Sequence, residues 1–161
     1  MISQLSWAPQ EGSCTHTALP LPERNLLVVT DESTRANCQE PPKYVRIVDI
    51  SDEKQPKVLS KFKVEDDEFC KKGLRFGPHN LHENRPGTFV SDTMIFVTYF
   101  NAGLRVIDIK DPYHPKEIGH FIPELPGDKV IQIDDVLVEK DGRIYISDRV
   151  GGGVFILQVD L

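Results

Sequence analysis

Apolar and polar residues alternate along most of this chain in short runs that are separated by turn residues. "LLVVTD" (26–31), "MIFVTYF" (94–100) and "RIYISDR" (143–149) are rich in the β-branched and aromatic residues that suit a pleated surface. Each is followed by a second such run: "VRIVDIS" from 45, "LRVIDIK" from 104 and "VFILQVDL" from 154. Shorter strand-like segments, "THTALPLP", "PHNLHEN" and "DDVLVEKDG", come before them. Hardly any window carries apolar residues at i, i+3, i+4 and i+7, so the pattern predicts very little helix.

The runs repeat. "VRIVDISDEKQPKVLSKF" (45–62) aligns without a gap on "LRVIDIKDPYHPKEIGHF" (104–121). Arg46 falls on Arg105, Asp49 on Asp108, Asp52 on Asp111, and Pro56-Lys57 on Pro115-Lys116. Each unit therefore predicts four strands, a to d, with "KVLSKFKV" and "KEIGHFIP" as strand d of the first two. Four short antiparallel strands in a unit of this size predict a β-propeller blade. The expected architecture is all-β: one domain, 1–161, of about three blades (roughly 15–64, 79–122 and 132–160), forming half or part of a ring. The segment 1–8, "MISQLSWA", lines up as a strand d that completes another blade.

The "RIVDISD" and "RVIDIKDP" strands with the following "PK" resemble the LVIVD-repeat family of β-propellers, over nearly the whole chain. More distantly, the layout is similar to the selenium-binding protein and methanethiol oxidase group. The first resemblance implies a binding or interaction module; the second implies a metal-dependent oxidoreductase with histidines around the channel, here His16, His79 and His82. Three blades are too few to close a ring, so the expected partner is a second copy of the chain or the remainder of a longer propeller.

Comparing the copies sorts the histidines. His114 aligns with Gln55 and His120 with Lys61, which marks both as generic polar positions. His16, His79 and Asp135 fall where strand a begins, at the mouth of the channel, and His82 follows on the same segment. Imidazole and carboxylate groups there would suit a transition metal ion such as copper, zinc or iron. The same residues would equally serve as hydrogen-bonding pins between blades. The b-to-c connection of the first unit, "DESTRANCQEPPK", is longer than its counterparts and should overhang the His16 and His79 end, bringing Asp31, Glu32 and Cys38. The connection 65–78 leads into His79 and could act as a lid or partner-binding loop. The glycines of "DRVGGGVF" read as hairpin glycines and not as a phosphate cradle, because no helix follows.

Charge and composition narrow the picture further. Lys plus Arg number 19 against 25 Asp plus Glu, a formal net charge of −6, which argues against a general nucleic-acid binder. No apolar run approaches membrane-spanning length, and the N-terminus lacks a signal-like pattern, so a cytoplasmic location is expected. Cys14, Cys38 and Cys70 are odd in number and widely spaced, and are expected to be free thiols in a reducing compartment.

Overall fold

The computed structural model describes residues 1–7, 11, 14–66 and 68–160. Ala8 at the end of the expected first strand, Asp67 in the 65–78 connection and Leu161 lie outside the described residues. The chain is all-β, with three antiparallel sheets and almost no helix. The first sheet holds β1 (Thr15–Leu21), β2 (Leu26–Asp31), β3 (Val45–Asp49) and β4 (Lys57–Phe62) in that order. The second holds β5 (Met94–Thr98), β6 (Leu104–Asp108) and β7 (Lys116–Phe121), and the third β8 (Ile133–Val138), β9 (Arg143–Asp148) and β10 (Gly153–Gln158). One short helix, α1 (Phe69–Lys72), and a 3-10 turn at Pro22–Arg24 are the helical elements among the described residues. Among the described residues no helix is long and apolar enough to cross a membrane.

The repeat is visible in the hydrogen bonds. Asp49 and Asp108 each accept from the amide two residues on, at Ser51 (2.8 Å) and Lys110 (2.7 Å). Asp52 and Asp111 do the same with Lys54 and Tyr113, both at 3.0 Å. These Asx turns hand the chain from β3 to β4 in the first sheet and from β6 to β7 in the second. His114 belongs to this turn, exposed, with Asp111 2.8 Å from its Nδ1. His120 is likewise exposed and beside Glu117 at 2.8 Å.

The segment before β5 departs from a regular strand. Residues 79–82 run along β5, with the His79 amide donating to Thr98 O and the His82 amide to Phe96 O, both at 2.9 Å. Between them the Asn80 amide donates to the Thr98 hydroxyl at 3.0 Å instead of to a backbone carbonyl. The Thr17 amide makes the same contact to the Thr30 hydroxyl at 3.2 Å, where the β1–β2 register shifts. A side-chain hydroxyl thus takes the place of a ladder bond and bulges the first strand.

The sheets stack through two cores. Leu19, Leu21, Val28, Val45 and Ile47 of the first sheet pack with Ile95, Val97 and Ile107 of the second. Phe96 and Leu104 on the second sheet's other face pack with Val136, Val138, Ile144 and Ile146 of the third. Arg24 clamps the first junction by donating to the carbonyls of Asp92 and Ile109, each at 2.8 Å, and of Lys110 at 3.0 Å. The aligned arginines are both buried: Arg46 is paired with Asp31, and Arg105 donates to Ala102 O at 3.0 Å.

The cysteines correct an expectation. Cys38 and Cys70 form a disulfide, with Cα atoms 5.5 Å apart across 32 residues of sequence. The b-to-c insertion and the connection carrying α1 converge at one end of the stack, which their distance along the chain does not reveal. Cys14 is an exposed thiol. The cysteine-based case for a reducing compartment therefore falls away.

Candidate functional site

Three donors from three parts of the chain meet at the end where these connections converge. His16 lies on β1, Glu32 directly follows β2, and His79 opens the segment along β5. One ligand atom from each lies within 4.8 Å of the others. The two imidazoles are stacked, with ring centroids 4.1 Å apart and planes inclined by 28°. Phe100 also lies against the His79 ring, with centroids 4.7 Å apart and planes inclined by 41°.

His79 is buried and held tightly. Its Nδ1 lies 2.9 Å from the backbone oxygen of Asp134, a contact in which the ring nitrogen must donate. That leaves Nε2 as the ring nitrogen turned toward the cluster, facing Glu32 Oε1 at 3.5 Å. Its carbonyl accepts from the Thr30 hydroxyl at 2.6 Å. A ring N–H donated to a backbone carbonyl is the usual way a ligating imidazole is oriented. His16 is exposed, with Nδ1 2.9 Å from the Thr17 hydroxyl. Partial burial lowers its pKa below the ordinary value, and His79 adds to this, while Glu32 and Asp134 pull the other way.

Glu32 is positioned from both sides. Its amide donates to Cys14 O at 2.7 Å, and Arg75 Nη1 donates to its Oε1 at 2.9 Å. The loop beyond it is stiffened by Glu40, which accepts from Ser33 Oγ (2.9 Å) and from the amides of Thr34 (2.7 Å) and Arg35 (2.8 Å). Burial works to raise the Glu40 pKa, but these bonds and Lys43 outweigh it and bring it to about 2. Arg75 and Glu32 thus tie together the two connections that the disulfide also joins.

Of the four residues expected as ligands, the structure brings two together, His16 and His79. His82 is buried elsewhere, with both ring nitrogens engaged: Nε2 donates to Phe89 O at 2.8 Å, and Nδ1 accepts from the Val138 amide at 3.2 Å. Asp135 is exposed and lines a cavity of about 240 Å³ with Thr17, Asn80, His82, Arg85 and Thr88. It pairs across the ladder with Ser147, next to a register shift between Ile133 and Asp135. The residue beside His79 is its neighbour Asp134, whose Oδ1 is 3.7 Å from His79 Nδ1 and 3.2 Å from Arg149 Nη1. Asn80 Nδ2 and Thr98 Oγ1 both donate to Asp134 O at 3.0 Å, so a continuous polar belt links the three sheets.

In the sequence Glu32 is marked only as part of the overhanging loop, and nothing there marks Asp134 or Arg75. The length of the insertion was the signal for Glu32; a bulge hid Asp134. A family model described as the LVIVD repeat matches residues 89–122, a stretch that contains the whole second sheet. No curated protein matches the chain.

Proposed function

We propose that this chain is a propeller-type LVIVD repeat module that works by binding, and that its ligand at the His16, Glu32 and His79 end is a divalent first-row transition metal ion. The single observation that carries the reading is the convergence of two imidazoles and a carboxylate within 4.8 Å, with the inner imidazole already oriented by a backbone carbonyl. Imidazole with one carboxylate suits zinc, copper, iron and nickel. His79 and His16 would be the nitrogen ligands and Glu32 the oxygen ligand. A bound ion would leave part of its coordination to a small ligand or to a partner's side chain, and the reading requires no redox step.

Arg75 gives the same reading a second test, because it already holds the carboxylate that the ion would need. It neutralises Glu32 when no ion is present and competes with any ion for the same carboxylate. Calorimetric titration of the metal-stripped chain with zinc should give one site per chain. His16→Ala, at an exposed position, should weaken binding at least tenfold, and Arg75→Gln should strengthen it. No binding, or affinity unchanged by His16→Ala, would refute the metal reading and leave the cluster as a pin between sheets.

A further inference from the structure

The third sheet presents an apolar face with nothing on it. Leu137, Tyr145 and Ile156 stand directly opposite one another across β8, β9 and β10, and Val154 lies in the next row. In the first sheet the equivalent pair Val28 and Ile47 is 0% exposed, buried against the second sheet. In the second, Phe96 and Val106 pack against the third. In the third, Val154 is 65% and Ile156 66% exposed. The repeat keeps the apolar face here, and nothing among the described residues covers it.

The opposite end of the stack carries the complementary feature. Residues 1–7 form no strand ladder, yet they lie across the outer face of the first sheet, where Leu5 and Trp7 line a groove with Leu27, Val29 and Val48. Their register is informative. Ser3 Oγ donates to Glu53 O, and Ser60 Oγ of β4 donates to Pro112 O. Under the repeat alignment Glu53 is the equivalent of Pro112, and Ser3 that of Ser60. Residues 1–7 therefore sit on the first sheet as β4 sits on the second, in the place of an outer strand, yet they pair with no sheet among the described residues. The third sheet has the converse shape, three strands with the outer edge of β10 unpaired among the described residues. At Gly103 an added Cβ would stand 2.2 Å from Phe121 O of the outer strand; at the equivalent Gly153 nothing lies within 4 Å.

We infer that residues 1–7 of one copy form the fourth strand on β10 of a second copy, with the third-sheet face of that copy covering the first sheet, so that two chains close head to tail. The inference rests on the propeller-type reading of the repeats and not on the ion. The surface created repeats the sheet-to-sheet packing already present twice within the chain, and each chain supplies one orphan strand and one incomplete sheet. Two such interfaces close the pair and cover both exposed edges. The pairs Ile47 with Ser60 and Val45 with Phe62 fix the register: Ser3 opposite Ile156 of the second copy, and Leu5 opposite Val154.

The test uses the full chain. Sedimentation of the unsubstituted protein, with and without chelator, should give twice the 18.2 kDa chain mass in both conditions. In a Cys14→Ser background, Leu5→Cys with Val154→Cys should cross-link into a covalent dimer under mild oxidation, at least tenfold more than Gln4→Cys with Val154→Cys, which is one residue out of register. Gly153→Ala, whose added methyl would meet Leu5 O of the second copy, should weaken dimerisation at least tenfold. A monomer, a larger open assembly, or equal cross-linking of the two pairs would overturn the inference. A monomer would leave the face to another segment of a longer chain. Because the chelator arm is expected to change nothing, failure here is distinct from failure to bind metal.

Discussion

The most exacting prediction concerns His82, which is buried without being part of the donor cluster. At neutral pH its ring satisfies two backbone groups, donating from Nε2 to Phe89 O and accepting at Nδ1 from the Val138 amide. Protonation turns Nδ1 into a donor aimed at another donor, which costs about 1–3 kcal/mol for the lost bond and the stranded amide. Burial is the main force lowering the His82 pKa below its ordinary 6.5; Arg85 adds to it, while Phe89 O and Glu83 oppose it. The unfolded chain therefore takes up this proton first. The contribution is fully present above pH 6.5 and is lost as the pH falls through the folded value. Urea unfolding followed by circular dichroism at about pH 7.5, 6.5 and 5.5 should show stability falling with pH, mostly below 6.5, with this ring contributing no more than the one-proton limit of about 1.4 kcal/mol per pH unit. His82→Leu strands the Phe89 carbonyl and the Val138 amide, so it should cost about 2–5 kcal/mol at the upper pH. It should also flatten the pH dependence, because no titrating ring remains; His16 contributes equally to both proteins. Parallel slopes for the two proteins, or a His82→Leu protein as stable as the original, would refute the assignment of His82 as a neutral crosspiece.

Two further outcomes follow from local geometry. Cys38→Ser or Cys70→Ser should cost about 2–4 kcal/mol by releasing the loop that the bond closes, measured as the difference in thermal unfolding; thiol titration of the unreduced native chain should find only Cys14 reactive. Gly103→Ala should cost more than about 2 kcal/mol in denaturant unfolding, since it combines a left-handed backbone at φ 79° with a methyl placed 2.2 Å from Phe121 O.

Much of the fold could be read from the repeat because its polar punctuation is local. Asp49, Asp52, Asp108 and Asp111 make their turns with residues two positions away, so the sequence carries both partners of each bond. The position of residues 79–82 beside β5 was likewise legible, although the Thr98 hydroxyl interrupts their ladder. Features set by distant encounters were not. The pairing of Cys38 with Cys70 depends on two connections from different units converging. The choice of Asp134 over Asp135 beside His79 turns on a register shift, and an alignment by residue type cannot see one. For His82, spacing along the strand said nothing of its partners, since Phe89 and Val138 reach it from a loop and from the third sheet.

Among the described residues the second sheet alone has an apolar core on each face, one shared with the first sheet and one with the third. Among the described residues no apolar core joins the outer two directly. Opening either end of the stack breaks one such core, whereas opening the middle breaks both. In a nearest-neighbour array this makes a hierarchy of cooperative units: the terminal sheets can open locally and reclose, while the amides of β5 and β6 exchange with solvent only when the whole stack comes apart.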